Sequence, residues 1–438
     1  MSVDEISGSA AIHAKRANEM TAQRAALAAA AGSAIEYYEF GIYGYMAVFL
    51  SQIFFPSGDQ TAALLSTFAV FGSAFLVRPA GGLILGMLGD RVGRRGVLIV
   101  TVVGMGMATA GIGILPTTAT AGYIAPLLLV LLRLAQGFFA GGEVVGAAAF
   151  IAESAPTGRR GFYGSATPVG IALGGALAAM VCGLATHFVG QELMLVWGWR
   201  IPFLFAVPLV ILSALLRHNV EETPAFKQFI SKAKPKRASI TRVVAEHPAS
   251  IIKVILIAGA QNIGYWVGLI FMNVHLTANL GYDKTVVYWI MAVVSVLLAF
   301  MMPFWGGLSD QIGRKRVLVI GFAGYLVLVI PAMAFMAQNN LLLAAVAFFI
   351  STLPMPVIQA VGYPTYSEQF PTAVRYTAMA ISINLAAIIG GGFTPYLSTW
   401  LISLTAFKLI PGLLLAAGAA IAMVTVLTLK ETSHTDLP

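Results

Sequence analysis

The chain has 438 residues, of which 58% are hydrophobic and only 10% are charged. A soluble globular domain carries about 25% charged residues, so this composition, with a mean hydropathy of +0.85, excludes a soluble globule. The single cysteine, Cys182, excludes a disulfide scaffold and a cysteine-based metal site. The apolar runs are continuous rather than alternating, which is typical of membrane helices and not of a β-barrel.

Charged or Pro/Gly-rich breaks divide the chain into twelve predicted membrane spans, so both termini lie on one side. The first twenty residues have no apolar core and are not a secretory signal. Of the 26 Lys and Arg residues, 21 fall on the side of the termini, which the positive-inside rule makes cytoplasmic. The spans lie near 26–53, 60–88, 96–115, 122–150, 163–187, 199–216, 250–279, 286–308, 317–337, 341–366, 376–402 and 406–429.

Two loop sequences occur twice. "GMLGDRVGRR" at 86–95 recurs as "GGLSDQIGRK" at 306–315, and "ESAPTGRR" at 153–160 recurs as "EQFPTAVR" at 368–375. The similar offsets indicate a duplication, which transporters use to rock one half against the other. We predict an all-α membrane protein with two pseudo-symmetric six-helix bundles. Its parts are a cytoplasmic segment 1–25, a bundle 26–217, a cytoplasmic linker 218–249, a bundle 250–429 and a cytoplasmic tail 430–438.

The repeated loop "GMLGDRVGRR" resembles the signature loop of the major facilitator superfamily. Within that superfamily, "EYYEFGIYGY", "FLVRPAGG" and "RLAQGFFAGGEVVGAAAFIAESAPTGRRGFYGS" resemble the metabolite:proton symporters, a group of proline/betaine, shikimate, citrate and 2-oxoglutarate carriers. The resemblance covers nearly the whole chain and implies the major facilitator fold with proton-coupled transport. One departure is Glu39, because relatives generally have aspartate at that position.

Buried charged residues inside the predicted spans are few and, apart from His275 near the outer end of span 7, lie in the first half. A carboxylate at bilayer depth is costly, roughly 2.5 to 3.5 kcal/mol for Asp at a helix centre, so a functional role is expected. Glu36 and Glu39 share a helix face and, as like charges, titrate as a coupled pair. We predict that Glu36, Glu39, Arg133 and Glu143 carry proton coupling. The alternative is that the glutamates pair permanently with Arg133 or Arg78 as structural ties.

Arg78 must meet an anion at its depth, either a carboxylate of the protein or that of a substrate, and its planar guanidinium suits bidentate binding of either. The second half offers neutral amides and aromatic rings instead, each of which is alternatively a helix-packing residue. On span 4, Gly137 and Gly141 predict a seam for close helix packing. The predicted substrate contacts are Arg78, Tyr43, Gln261, Asn262, Tyr265, Trp266, Gln359 and Asn384.

The repeated loops predict a gate that holds the cytoplasmic side closed. The alternative is positive-inside anchoring, which explains the arginines but not Asp90 or the repetition. The predicted gate residues are Asp90, Arg91, Arg94, Arg95, Glu153, Arg160, Asp310, Arg314, Glu368 and Arg375.

No GxSxG, HExxH or P-loop motif occurs and the histidines are scattered, so we predict neither an enzyme nor a metal or cofactor site. We predict a monomeric symporter of the bacterial inner membrane that imports a small organic acid, of the mono- or dicarboxylate type, with protons. The alternatives are a proton-coupled carrier of a zwitterion such as proline or betaine, and a proton-driven exporter. The expected partners are this anion or zwitterion, protons and the lipid bilayer, but not nucleic acid.

Overall fold

The computed structural model describes residues 3–92, 94–156, 158–218, 240–372, 374–433, 435 and 437, without the side chains of 3–19, 21, 89–92, 94, 95, 98, 143, 150 and 216–218. Within this part of the chain every regular element is a helix. Nine of its helices are long and apolar enough to cross a membrane, and a pair bent by 51° makes a tenth span. Span 3 and the glutamate-bearing span 1 complete the predicted twelve.

The first half contains six spans that follow one another as predicted. Span 1 begins at Val3 and is interrupted at Met46, and span 6 extends further toward its N-terminus than the sequence predicts. The helices are Val3–Tyr45 and Ala47–Phe54 (span 1), Gln60–Val92 (span 2), Arg94–Gly113 (span 3), Ile124–Ala140 and Glu143–Ser154 (span 4), Arg160–Gly164 and Ala166–Val189 (span 5), and Gln191–Leu193, Met194–Gly198, Arg200–Leu204 and Ala206–His218 (span 6), with a short helix Thr118–Ala121 before span 4.

The second half repeats this arrangement after a short helix, Ile240–Glu246, in the described part of the predicted linker. Side-chain caps begin two of its spans, because Asp283 accepts from the Val286 N–H and Asn340 from the Leu343 N–H. The helices are Pro248–Tyr265, Trp266–Phe271, Met272–Val274 and His275–Asn279 (span 7), Lys284–Ile312 (span 8), Arg314–Met336 (span 9), Leu341–Thr352 and Pro354–Glu368 (span 10), Arg375–Ala387, Ile388–Phe393 and Thr394–Thr405 (span 11), and Ile410–Leu427 (span 12).

The predicted glycine seam on span 4 is confirmed. A Cβ atom at Gly137 would overlap the Ala74 carbonyl, and one at Gly141 would overlap the Arg78 carbonyl, so spans 2 and 4 touch backbone to backbone. Only glycine permits this approach. The contact fixes the height of Arg78 against span 4.

The two halves meet along spans 5 and 8. At the loop end of the molecule, Gly161 of span 5 lies so close to Gly306 of span 8 that no Cβ atom would fit between them. At the opposite end the Tyr45 carbonyl, next to the break in span 1, accepts from the Asn273 amide and the Tyr288 hydroxyl, both at 2.9 Å. The two halves are therefore in contact at both ends of the molecule.

Three short π-helical segments lie in spans 7 and 11, at Trp266–Phe271, His275–Asn279 and Ile388–Phe393. Such segments insert extra residues into a helical turn and occur frequently at functional sites. Trp266 and Gly391 of two of these segments lie against each other. The second half is therefore least regular where its spans approach the first half.

Candidate functional site

The two glutamates of span 1 are both buried but have different partners. The Arg78 guanidinium of span 2 donates through Nη2 to Glu36 Oε1 at 2.8 Å. The Thr109 hydroxyl of span 3 donates to Glu39 Oε2 at 2.7 Å. One turn of span 1 therefore carries an ion pair and a carboxylate bound to a neutral hydroxyl. The pairing of Arg78 with Glu36 is the alternative that the sequence left open.

Arg78 is held from several directions besides Glu36. Its guanidinium lies over the Phe40 ring at 4.2 Å and the Phe75 ring at 5.0 Å. Aromatic faces stabilise a cation at this distance, most strongly where water is excluded. Because Pro79 follows it within the helix and Gly141 packs on its carbonyl, its backbone is also fixed. Arg78 is a rigid, partly neutralised cation.

Arg133 reaches Glu39 through a chain of neutral groups. Its Nη1 donates to Gln136 Oε1 at 2.8 Å, and Gln136 Nε2 donates to the Thr109 hydroxyl oxygen at 2.6 Å. The Arg133 guanidinium also lies 4.3 Å from the centroid of the Tyr43 ring. This chain connects three spans of the first half in the interior of the bundle.

A small cavity of about 20 Å³ lies between the two halves. The first half contributes the Arg78 guanidinium and the Tyr37 side chain, and the second half contributes two asparagines and a tyrosine. The lining residues are Tyr37, Arg78, Ala140, Gly141, Val144, Val145, Asn262, Tyr363, Ile383, Asn384 and Ala387. Of the predicted substrate contacts, Arg78, Asn262 and Asn384 line this cavity.

A second cavity, of about 10 Å³, lies inside the first half and reaches the glutamates from another side. Its lining residues are Gly32, Ile35, Glu36, Glu39, Val102 and Met105. Glu36 lines this cavity whereas its partner Arg78 lines the first. The Arg78–Glu36 ion pair therefore separates the two spaces.

The other five predicted substrate contacts lie outside both cavity linings. Gln261 donates to Gln359 at 2.6 Å and accepts from Tyr366. The Tyr265 hydroxyl donates to the Ile171 carbonyl, and Trp266 stacks on Tyr37 with ring centroids 5.8 Å apart. The fifth, Tyr43, donates to the Thr67 carbonyl. These side chains pack the helices behind the cavity wall, and their roles as substrate contacts stay predictions.

The repeated loops form a network at one end of the molecule. Asp310 of span 8 accepts from the backbone N–H groups of Gly161 and Phe162, at 2.8 and 2.9 Å, across the two halves. Arg314 binds Asp310 at 2.8 Å and Glu368 at 3.3 Å. Salt bridges at this depth form only with good geometry and several partners. The carboxylate of Asp310 thus holds span 8 against span 5.

The second repeated motif pairs crosswise. Arg375 of the second half binds Glu153 of the first at 3.0 Å, and Arg160 of the first half lies 3.8 Å from Glu368 of the second. Each copy therefore contacts the other copy. Five predicted residues have side chains outside the described part of the structure, so their roles stay predictions: Asp90, Arg91, Arg94, Arg95 and Glu143.

The segment after span 12 adds a further carboxylate to this end. Glu431 accepts from the backbone N–H groups of Arg314 and Lys315, at 2.9 and 3.1 Å, at the start of span 9. Partial burial raises the pKa of Glu431, but the backbone N–H groups of Arg314, Ser433 and Lys315 outweigh it and hold that pKa below its usual value. Glu431 caps a helix whose preceding residue, Gly313, has a φ of +104°.

Tyr37 and Thr109 are among the site residues that are absent from the predicted set. Tyr37 follows Glu36 directly, and its cavity position needs the orientation of span 1. Thr109 is one hydroxyl in an apolar span and gives no pattern. Neither had a sequence signal apart from its neighbours.

Comparison with known proteins decides the family. The family described as "Sugar (and other) transporter" matches residues 25–250, and the "Major Facilitator Superfamily" matches residues 254–437. The chain belongs to the major facilitator superfamily. Its relatives include proline/betaine and shikimate transporters, so the predicted kinship with the metabolite:proton symporters is confirmed. The protein is a transporter of the inner membrane, as predicted.

The relatives match over nearly their whole length. A proline/betaine transporter of Salmonella typhimurium is 36% identical over 424 residues, which cover 95% of this chain and 85% of the relative. The shikimate transporter of Escherichia coli is 35% identical over 418 residues, with 94% and 95% coverage. A solved proton:xylose symporter with bound 6-bromo-6-deoxy-D-glucose superposes with a TM-score of 0.77 at 18% identity, covering 96% of this chain and 98% of that one. This last similarity concerns the fold.

Proposed function

We propose that this superfamily member is a proton-coupled symporter that imports a small zwitterion, of the proline or betaine type. The observation that carries the proposal is the Arg78–Glu36 ion pair at the cavity wall. Arg78 meets the carboxylate of a zwitterion, and the rings of Tyr37 and Tyr363 at the same cavity attract its cationic end. The names of several relatives, which are proline/betaine transporters, support this solute class over the organic acid.

The arrangement of the two cavities suggests how solute and proton are coupled. The solute carboxylate binds Arg78 from the first cavity and competes with Glu36. Glu36, once displaced, takes up a proton through the second cavity, which it lines. An unpaired buried charge is costly, so only the carrier with both ligands or with neither rearranges readily. Competition for one guanidinium thereby enforces coupling.

Glu39 and its neighbours form the second part of the proposed proton machinery. Thr109 and Gln136 join Glu39 to Arg133 by hydrogen bonds of 2.7, 2.6 and 2.8 Å. A connected polar chain of this kind fixes the orientation of its members. We assign Thr109 and Gln136 as positioning residues for Glu39.

We further propose that the network of Asp310, Arg314 and Glu368 is the cytoplasmic gate. The excess of Lys and Arg on this side of the predicted spans supports that orientation, with both termini cytoplasmic. In this proposal the carrier acts as a monomer. Opening this end requires the Gly161 and Phe162 N–H groups to leave Asp310. The other end opens when Asn273 and Tyr288 leave the Tyr45 carbonyl.

A second candidate is import of a small organic acid, the solute that the sequence favoured. The shikimate transporter, with coverage above nine tenths on both sides, supports it. In that case the carboxylate still binds Arg78, and the proton on Glu36 supplies the compensating charge.

The test is the external pH of weakly buffered, de-energised cells that make the protein. L-proline, glycine betaine and shikimate are added one at a time at a fixed, mildly acidic pH. Cells without the protein are the reference. We expect protein-dependent alkalinisation with proline or betaine. The Glu36→Gln variant should lose this alkalinisation but should still exchange labelled solute down the solute's own concentration gradient. Alkalinisation with shikimate alone would instead establish the organic acid.

The matched control is Glu192→Gln, which neutralises an exposed carboxylate outside both cavities. Cells that make this variant should raise the external pH as much as cells that make the native protein. Uptake of labelled solute with no pH change in the native protein would refute proton coupling.

A further inference from the structure

Two asparagines on the second half's side of the cavity have their amide nitrogens already engaged. Asn262 Nδ2 donates to the Ala258 carbonyl at 2.8 Å. Asn384 Nδ2 donates to the carbonyls of Ala380 at 2.9 Å and Gly141 at 3.1 Å. A carbonyl only accepts, so in each side chain the nitrogen faces the backbone and Oδ1 is turned away from it.

The two amide oxygens are therefore available as acceptors at the cavity. Both asparagines line it, and neither Oδ1 accepts a hydrogen bond from any residue that the structure describes. Asn384 is only 5% exposed. Amide oxygens that lack a protein donor and are accessible from the cavity can accept from a donor among its contents.

Across the cavity, Arg78 offers only donors. The cavity is thus polarised, with N–H donors on the first half and amide oxygens on the second. A carboxylate fits at Arg78, and the opposite end of the same solute meets two acceptors. Tyr37 and Tyr363, which also line the cavity, present aromatic rings that attract any cation.

We infer that Asn262 and Asn384 bind N–H groups at the cationic end of the solute. The solute class is then a zwitterion whose ammonium carries N–H, rather than a quaternary ammonium. This inference rests on the proposed function and narrows it. A quaternary ammonium has no proton to donate, and its methyl groups hold the charge away from the amide oxygens, whereas a secondary ammonium makes charge-assisted N–H···O bonds.

The test uses three solutes that differ only at the nitrogen. L-proline, N-methyl-L-proline and N,N-dimethyl-L-proline carry two, one and no N–H groups as zwitterions. Uptake of each labelled solute is measured in cells making the native protein, Asn262→Leu or Asn384→Leu. Asn384 also binds Gly141 of the first half, so Asn262, whose hydrogen bond to the Ala258 carbonyl stays within its own helix, is the cleaner variant. Ratios of apparent affinity within one variant are compared, which removes differences in expression.

The matched control is Ser382→Ala. Ser382 is buried beside Asn384 and donates to the Ala378 carbonyl of its own helix, but it does not line the cavity. It removes a bond of the same kind without removing an acceptor from the site.

In the native protein and the control, we expect proline to bind about tenfold more tightly than its dimethyl analogue, as for the loss of one strong hydrogen bond. In Asn262→Leu and Asn384→Leu that ratio should fall toward one, mainly through weaker binding of proline. Equal affinities in the native protein, or an unchanged ratio in both variants, would overturn the inference while uptake itself still supports the proposed function. If none of the three solutes is taken up, the proposed function and the inference fail together.

Discussion

The two halves of the chain face one cavity with different chemistry. The first half presents Arg78, with Glu36 behind it, while the second presents Asn262, Asn384 and Tyr363. Yet the halves are copies at the gate, where both contribute charged residues. The duplication has kept charge at the gate in both copies and at the cavity in only one. Any motion between the halves therefore moves a charged wall against a neutral one.

In the mechanism that we propose, the charged wall carries the proton and the neutral wall orients the solute. If both walls of the cavity were charged, ionisable side chains on the two walls would compete for the proton. Here the carboxylates and the guanidinium that line the two cavities come from the first half. Disrupting each wall in turn should give different losses.

The largest effect is expected from Arg78→Gln. It removes the cation of the charged wall and leaves Glu36 without its ion-pair partner, and truncating one member of a buried pair costs about 3 to 5 kcal/mol. Uptake should fall at least a hundredfold, which corresponds to about 2.7 kcal/mol. Initial rates of solute uptake, normalised to protein in the membrane, measure this.

The double variant Arg78→Gln with Glu36→Gln serves as the folding control, because it leaves no lone charge. It should restore the amount of protein in the membrane but not uptake. Uptake near the native rate in Arg78→Gln would contradict the role of the charged wall.

A smaller loss is expected from Thr109→Val, which breaks the chain between Glu39 and Gln136. Leaving buried polar groups unpaired costs about 1 to 3 kcal/mol, so uptake should fall about tenfold. The control in the second half is Thr365→Val, whose buried hydroxyl donates to the Val361 carbonyl of its own helix. Equal losses in the two variants would remove the distinction between the halves.

The gate sharpens the comparison, because there the second half does carry charge. Asp310→Asn weakens the contact with the Gly161 and Phe162 N–H groups and the ion pair with Arg314. Spin labels at Phe162→Cys and Gln311→Cys should report longer distances between the halves, because the open gate becomes more populated. Asp283→Asn, at the opposite end, should leave this distribution unchanged, and an unshifted distribution in Asp310→Asn would remove Asp310 from the gate.

The smallest effect concerns Glu431. Its pKa is held below the usual value in the folded protein, so its stabilisation is full above the unfolded pKa and is lost as the pH falls through the folded pKa. Glu431→Gln should therefore lower the melting temperature slightly at neutral pH. The difference from the native protein should shrink as the pH falls below the ordinary glutamate pKa of about 4.3. A difference that persists there would show that the charge of Glu431 is not what stabilises the gate.

The sequence predicts the fold well because hydrophobicity and repetition are long-range, redundant signals. Twelve apolar runs and two repeated loops are enough to place the spans and the duplication. The glycine seam of Gly137 and Gly141 also follows from spacing, since small residues four apart fit close helix packing. Membrane thickness fixes element lengths and leaves few alternatives.

The cavity wall is harder to predict, since it depends on helix rotation. Gln261 and Asn262 are adjacent, and a turn of about 100° decides which one lines the cavity. The structure chooses Asn262 and turns Gln261 toward Gln359. The π-helical segments at Trp266–Phe271 and Ile388–Phe393 then change the helical phase, so positions counted at 3.6 residues per turn no longer share a face. No residue pattern in spans 7 and 11 predicts these π-helical segments.

The crosswise pairing of the second repeated motif has a consequence for how the two copies diverge. Arg375 binds Glu153, and Arg160 approaches Glu368, so each copy finds its opposite charge in its twin. Loss of a charge in one copy leaves its partner in the other copy unpaired, more than two hundred residues away along the chain. The ancestral half would have met a second, identical half through the same two contacts, as the subunits of a symmetric dimer do. Substitutions at the paired charges of the two copies therefore depend on each other at this end. The side chains of the two cavity walls are under no such constraint and differ.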